Sequence, residues 1–126
     1  YIDPSIVDNA IKICKENLSV DLVTNVGKRS YPKGQSVEII KRDALEKIVN
    51  NMPNELTKEH VTIDFYQKES HFDIINFSYV TDLSDIRMSV DTMADFVIYC
   101  KLFQSMGEKI KTAKFDEILH HLNNFN

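Results

Sequence analysis

The first residues of the chain carry the pattern of a helix start. Asp3 followed by Pro4 is typical of an N-cap carboxylate and a first helical position, where the missing N–H of proline costs nothing. Apolar residues then recur at helical spacing, namely Val7, Ala10, Ile11 and Cys14. The pattern therefore predicts an amphipathic helix that ends near Asn17.

Beyond this helix, β-rich runs alternate with helical patterns. The runs predict strands over residues 20–25, 37–40, 72–79 and 86–90, while residues 60–66 fit either a strand or a helix. Helices are predicted over residues 43–51 and 115–122. Because strands and helices alternate, we predict a single α/β domain with helices packed on a sheet.

A further helix is predicted after residue 92, with Gly107 as its stop. Its apolar residues recur on one face, which we expect to face the core: Met93, Phe96, Val97, Cys100 and Phe103.

Composition narrows the class of protein. The chain has 126 residues, of which 43% are hydrophobic and 27% charged, as in ordinary globular domains. A net charge of −4 argues against a nucleic-acid-binding surface. No apolar run approaches the roughly 20 residues of a membrane span. Cys14 and Cys100 lie in apolar helical patterns, where a thiol is usually a small buried hydrophobe, so we expect a reduced, cytoplasmic protein.

Four segments, taken together and in order, resemble a known family. They are IDP at 2–4, Asn25 with RSYPKG at 29–34 and VE at 37–38, EHVT at 59–62, and RMSVDT at 87–92 with DF at 95–96. This order resembles the second half of the spore-coat-polysaccharide type of cytidylyltransferase, which is related to the acylneuraminate and deoxy-octulosonate cytidylyltransferases. The resemblance covers about residues 1–106. It departs from the family at four positions: Ser36, Ile63, Met93 and Ala94.

The resemblance implies a fold and an activity. The fold is the Rossmann-like nucleotidyltransferase fold of the nucleotide-diphospho-sugar transferase type, a mixed sheet flanked by helices. The activity is transfer of CMP from CTP, with Mg²⁺, to a sugar or sugar acid for surface polysaccharide, in an enzyme that often dimerises. The family's R-x-x-S-x-R-L-P-x-K loop and G-D-x-P segment are not in this sequence. We therefore expect this chain to be the C-terminal, sugar-side half of such an enzyme. We expect it to lack the nucleotide-binding half and to be inactive by itself.

Asp91 is the metal ligand that the resemblance implies. It follows a predicted strand and precedes a helix, where α/β proteins place ligand sites. The alternative is that Asp91 and Thr92 only cap the helix, since Thr92 and Asp95 have the spacing of a capping box.

The loop between the first two predicted strands carries Arg29, Tyr31 and Gly34. The resemblance places them at the sugar site, where an arginine fork can pair with a carboxylate or phosphate and a glycine lets the backbone approach a ligand. The alternative is an ordinary turn with an exposed arginine.

Four more polar residues complete the predicted sugar site: Asn25, Glu38, His60 and Arg87. Glu38 can accept hydrogen bonds from sugar hydroxyls, or be an outward-facing strand residue. His60 is either a substrate contact or a structural histidine at a helix end, and Arg87 has the alternative of a structural ion pair.

Two other classes of function stay open at this point. One is a non-catalytic sugar-binding module, and the other is an unrelated α/β interaction domain whose motif agreement is chance. Convergence of Asp91 and Glu38 on one cleft would favour the enzyme.

Overall fold

The computed structural model describes residues 1–50, 61–67 and 71–123. The elements follow one another along the chain as α1 (Pro4–Glu16), β1 (Leu22–Thr24), β2 (Glu38–Ile40), α2 (Arg42–Asn50), a 3₁₀ turn (Ile63–Tyr66), β3 (Ile74–Asn76), α3 (Met93–Met106), a second 3₁₀ turn (Gly107–Lys111) and α4 (Phe115–Asn123). The predicted α/β class is confirmed, with strands shorter than the sequence patterns suggested.

The three strands form one mixed sheet in the order β2-β1-β3. β1 runs antiparallel to β2 and parallel to β3. The central position of β1 explains its sequence, because a strand covered on both faces has apolar residues in succession rather than alternation. Leu22 and Val23 are both fully buried, on opposite faces of the sheet.

The two faces of the sheet are covered by separate apolar clusters. Val23 belongs to the larger cluster, which takes in buried residues of α1, α3 and α4. Leu22 belongs to a smaller cluster with Ala44 and Ile48 of α2 and with Phe65 of the first 3₁₀ turn. Helices therefore flank the sheet on both sides, as the sequence predicts.

The predicted start of α1 is confirmed. Asp3 is the N-cap, its side chain accepts a hydrogen bond from the Ser5 amide at 2.8 Å, and Pro4 occupies the first turn. The helix buries Ile6 and Ala10 against the sheet.

The predicted strand at 86–90 is wrong. The described chain has only a single parallel bridge there, between Lys33 and Arg87. The Lys33 backbone amide donates to the Ile86 carbonyl at 2.8 Å, and the Met88 amide donates to the Lys33 carbonyl at 2.7 Å. The partner is a loop that turns at Gly34, so the ladder cannot extend beyond one residue pair.

Helix α3 is confirmed, but its predicted inward face is wrong. The buried residues are Tyr99, Leu102 and Met106, whereas Phe96 and Phe103 are 54% and 50% exposed. The helix has apolar residues on more than one face, so spacing alone could not choose between two stripes. Tyr99 marks the inward stripe, because its hydroxyl donates to the buried Met88 carbonyl.

The structure also shows the character of the helices and the state of the two cysteines. Within the described ranges, no helix has the length and apolar character needed to cross a membrane. Cys14 and Cys100 are free thiols, both half-buried.

Candidate functional site

Polar residues gather at the edge of the sheet where β1 and β3 end and β2 begins. Thr24 is paired with Asn76 on one side and with Glu38 on the other, so the three side chains project from the same face. The carboxyl ends of parallel strands are where α/β proteins bind ligands. We call these residues, together with Arg29 and Tyr66, the sheet-edge cluster.

Tyr66 connects two members of this cluster. Its hydroxyl donates to the Glu38 carboxylate and lies 2.8 Å from the Thr24 hydroxyl. Burial and the hydrogen bond to Glu38 raise the pKa of the Tyr66 phenol well above its usual value, against smaller opposing effects of Thr24 and Arg29. Tyr66 therefore stays a neutral hydrogen-bond donor to Glu38 throughout the neutral pH range.

Arg29 is the cation of the sheet-edge cluster. It is half-buried, and its guanidinium donates to the Ser36 hydroxyl at 3.1 Å. Its positive charge slightly opposes the rise in the pKa of the Tyr66 phenol, so it lies within electrostatic reach of Tyr66. The side chain is therefore tethered to Ser36, while its predicted role in binding a sugar stays a prediction.

Asn76 fixes the loop that carries Arg29. Its side-chain oxygen accepts from the Lys28 amide at 2.8 Å, and its side-chain nitrogen donates to the Lys28 carbonyl at 3.1 Å. Gly27 fits between Asn76 and Tyr66, since a Cβ there would lie 3.2 Å from both side chains. The loop after β1 is thereby held over the sheet edge.

Sequence reasoning missed three members of the sheet-edge cluster: Thr24, Tyr66 and Asn76. Thr24 and Asn76 end β1 and β3, so the strand-end rule that drew attention to Asp91 could also have found them. Tyr66 closes a stretch whose pattern fitted both strand and helix, and nothing in that pattern placed it beside Glu38.

Asn25 is fully buried, and both ends of its side chain are engaged inside the protein. Its nitrogen donates to the Gln35 carbonyl and its oxygen accepts from the Val37 amide, each at 2.8 Å. Asn25 thus fastens the loop that begins at Val26 to the start of β2. Its side-chain contacts are internal to the protein, and its predicted role at a sugar site stays a prediction.

Tyr31 and Gly34 also fix the loop between β1 and β2, through contacts with other parts of the protein. The Tyr31 ring is buried and packs against Phe77, Tyr79 and Phe115, with ring centroids 5.8, 5.3 and 5.8 Å away. Gly34 has a φ of 101°, and a Cβ there would lie 2.8 Å from the Met88 backbone. The close approach that the glycine permits is to the protein's own backbone.

Arg87 and Asp91 form an exposed ion pair, so the structural alternative for Arg87 is realised. The Ser89 hydroxyl also donates to Asp91, at 2.7 Å. The hydrogen bond from Arg87, and then that from Ser89, lower the pKa of the Asp91 carboxyl, so it is ionised at neutral pH.

The capping box predicted at the start of α3 is present. The Thr92 hydroxyl accepts from the Asp95 amide at 3.2 Å, and the Asp95 carboxylate accepts from the Thr92 amide at 2.8 Å. Asp95 also accepts from the Asp91 amide, at 3.1 Å. Capping is therefore carried by Thr92 and Asp95, which leaves the Asp91 carboxylate outside the cap.

The donor set around Asp91 suits a hard cation only in part. Both hydrogen bonds to its carboxylate end on Oδ2, so Oδ1 is available to a metal. In the described ranges, no group of three or more His, Cys, Asp or Glu side chains is placed to hold an ion. One carboxylate oxygen fits a Mg²⁺ that is held mainly by phosphates and water.

Glu38 and Asp91 belong to two clusters that are joined through the backbone. The bridge between Lys33 and Arg87, and the contact of Gly34 with Met88, connect their loops. Across the described part of the chain, no hydrogen bond or ion pair runs from the sheet-edge cluster to the Asp91 loop. That the two acids serve one ligand stays a prediction.

His60 lies outside the described residues, so its predicted role as a substrate contact stays a prediction. The segment that follows it packs through Phe65 into the smaller apolar cluster.

Comparison with known proteins gives one result. No protein-family model and no curated protein matches the sequence. Among solved structures, a cytidylyltransferase from Leptospira borgpetersenii serovar Hardjo-bovis (strain JB197) is similar, with a TM-score of 0.88 and 19% sequence identity over 98% of this chain. The chain therefore has the fold of a cytidylyltransferase. It spans 51% of the length of that protein.

Proposed function

We propose that this chain, with its cytidylyltransferase fold, is the sugar-binding part of a nucleotidyltransferase. The complete enzyme would transfer CMP from CTP to a sugar or sugar acid used in surface polysaccharide. The observation that carries the proposal is the match of nearly the whole chain to a cytidylyltransferase structure. The sheet-edge cluster supports it, because it presents an arginine and a carboxylate at the expected edge of the sheet.

The reaction joins a sugar oxygen to the α-phosphorus of CTP and breaks its bond to pyrophosphate. A bound Mg²⁺, with Asp91 as one ligand, would supply neutralisation of the phosphate charge. The residues of this chain hold the acceptor sugar. Glu38 accepts hydrogen bonds from its hydroxyls, and Arg29 pairs with its carboxylate.

The proposal divides the labour between this chain and a nucleotide-binding segment outside it. The sequence contains no phosphate-binding loop of the R-x-x-S-x-R-L-P-x-K type. Transition-state charge on the phosphates needs fixed donors around them. We therefore expect the 126 residues to bind the sugar but not to turn it over.

Two further features belong to the proposal. A reducing, cytoplasmic setting is supported by the two free thiols. A homodimer with α4 as its contact surface is the assembly that we propose, because enzymes of the resembling family often dimerise.

The test is to titrate the ¹⁵N-labelled chain with 3-deoxy-octulosonate, N-acetylneuraminate and glucuronate, and to follow pyrophosphate release with CTP and Mg²⁺. The proposal predicts binding of at least one sugar acid and no pyrophosphate. Binding of none of the three would contradict the sugar-side assignment. Pyrophosphate release from the chain alone would support the transferase and contradict the division of labour.

A second candidate is a non-catalytic sugar-binding module, which is favoured by the span of only half the similar structure. A fusion of this chain to a nucleotide-binding segment that carries the R-x-x-S-x-R-L-P-x-K loop distinguishes the two candidates. The enzyme predicts CTP-dependent pyrophosphate release from that fusion, whereas the binding module predicts none.

A further inference from the structure

We propose that Tyr66 is a positioning residue of the sugar site, which holds the Glu38 carboxylate in place so that it accepts hydroxyls of the bound sugar. The inference deepens the proposed function and rests on it. It assigns a role to a residue that carries no motif in the sequence.

The hydrogen bonds around Tyr66 run in one direction. The Thr24 hydroxyl accepts from the Val26 amide at 3.0 Å, and Tyr66 donates its single proton to Glu38. Thr24 must therefore be the donor in its 2.8 Å contact with Tyr66. The result is a relay from the Val26 amide through two hydroxyls to the carboxylate, in which each bond polarises the next.

The relay leaves half of the Glu38 carboxylate available. Tyr66 donates to Oε1, and in the described ranges it is the one residue that hydrogen-bonds the Glu38 carboxylate. Because the side chain is half-buried at the strand end, the relay fixes the direction in which Oε2 faces. A carboxylate oxygen accepts hydrogen bonds and does not donate them. It therefore selects a ligand with hydroxyl groups and disfavours one that presents only phosphate oxygens.

The position of Tyr66 is itself fixed by packing. Its neighbour Phe65 is 1% exposed and stacks on Phe72, with ring centroids 4.6 Å apart. On the other side, the Tyr66 ring lies against Gly27, where a Cβ would be 3.2 Å from a ring carbon. Tyr66 itself is 37% exposed, so these contacts act together with the two hydrogen bonds of its hydroxyl in holding the phenol in place.

The positive charge of Arg29 indicates a second property of the ligand, an anionic group. The Arg29 guanidinium is hydrogen-bonded at 3.1 Å to Ser36, two residues before Glu38, and its charge acts on the Tyr66 phenol that holds Glu38. A fixed acceptor beside a cation matches a ligand with a hydroxyl close to an anionic group. A sugar acid has this arrangement.

The experiment compares Tyr66→Phe with Tyr79→Phe, using the sugar acid of the three that the parent chain binds best. Tyr79 is a matched control, because its hydroxyl also contacts a carboxylate, that of Asp116 at 3.1 Å, away from the sheet edge. Tyr66→Phe keeps the ring packing and removes the donor. We expect its Kd to rise about tenfold, as for loss of one hydrogen bond to a charged group, and that of Tyr79→Phe to stay within twofold.

A double-mutant cycle with Glu38→Gln separates positioning from a merely structural role. If Tyr66 acts through Glu38, the Tyr66→Phe change has little further effect on Kd once Glu38 is glutamine. Circular dichroism and thermal midpoints check that all variants fold, and a ¹³C label at the Tyr66 ζ-carbon reports ligand binding in the unmutated chain.

Each outcome decides the inference. Weaker binding by Tyr66→Phe, lost in the Glu38→Gln background, supports it. Unchanged binding by Tyr66→Phe, with weaker binding by Glu38→Gln, overturns it while the sugar site stands. Equal effects of Tyr66→Phe in both backgrounds also overturn it, since Tyr66 would then act without Glu38. Absence of sugar binding by the unmutated chain overturns the inference together with the proposed function.

Discussion

The Asp3 carboxylate accepts a hydrogen bond from the backbone amide of Phe115 at 2.8 Å, although the two residues are 112 positions apart. Its other oxygen accepts from the Ser5 amide, also at 2.8 Å. One buried side chain thus caps the first turns of both α1 and α4. A carboxylate at a helix N-terminus is favoured by the unpaired amides and by the helix dipole.

Asp3→Ala should therefore destabilise the fold by about 2 to 4 kcal/mol, since two helices lose a cap at once. Asp3→Asn is the matched variant, because it keeps one side-chain oxygen and should cost less. Urea unfolding followed by circular dichroism measures both. Equal, small losses for the two variants would show that the second cap contributes nothing.

The same residue makes stability depend on pH in the acid range. Burial alone raises the pKa of Asp3, but the hydrogen bonds from Ser5 and Phe115 outweigh it and leave the pKa below its usual value. The folded state therefore binds the proton less readily than the unfolded state. The contribution of Asp3 to the free energy of unfolding should be fully present above the unfolded pKa of about 4 and be lost as the pH falls through the lower folded value. Asp3→Asn should show a weaker fall in acid titrations of stability.

Gly34 and Gly107 provide a matched pair for testing the loop that shapes the site. Both have positive φ, 101° and 53°, but a Cβ at Gly34 would lie 2.8 Å from Met88, while one at Gly107 meets nothing within 4 Å. Gly107→Ala should cost roughly 1 to 3 kcal/mol of backbone strain. Gly34→Ala should cost clearly more, because backbone atoms must also move. Similar losses in urea unfolding would show that this close approach is not maintained in solution.

Leu102 and Phe103 are adjacent in α3 and test which face of that helix is inside. Leu102 is fully buried, while Phe103 is 50% exposed. Leu102→Ala should destabilise the chain by about 2 to 5 kcal/mol, as expected for a truncated core leucine. Phe103→Ala should cost much less, because part of its ring already contacts water. A larger loss of stability for Phe103→Ala than for Leu102→Ala would show that the face predicted from the sequence pattern is the one that packs against the core.

The sequence predicts the helices well, because their caps and spacing are local signals. Asp3, Thr92 and Asp95 all cap as expected. It fails where distant residues decide the outcome. The strand expected at 86–90 depends on a partner that turns away at Gly34. The inward face of α3 depends on which of two apolar stripes meets the core.

The candidate site divides in the same way. Arg29, Glu38 and Asp91 are recognisable from motif resemblance, and the structure places the first two at the edge of the sheet where β1 and β3 end. Asn25, Tyr31 and Gly34 belong to the same motifs, yet their contacts are internal to the protein. Tyr66 could not be found from the sequence, because its contact with Glu38 joins residues 28 positions apart.

The central claim is that the sheet-edge cluster binds a sugar acid, and a map of amide shifts tests it most directly. The ¹⁵N-labelled chain is titrated with the sugar acid that it binds best, alongside Arg29→Gln, Glu38→Gln and the control Glu46→Gln, whose carboxylate pairs with Arg42 on the surface of α2. We predict shifts confined to the loop after β1, the start of β2, Tyr66 and Asn76. They should be lost in the first two variants and kept in the third. Shifts elsewhere on the chain, or unchanged shifts in Arg29→Gln and Glu38→Gln, would contradict the account.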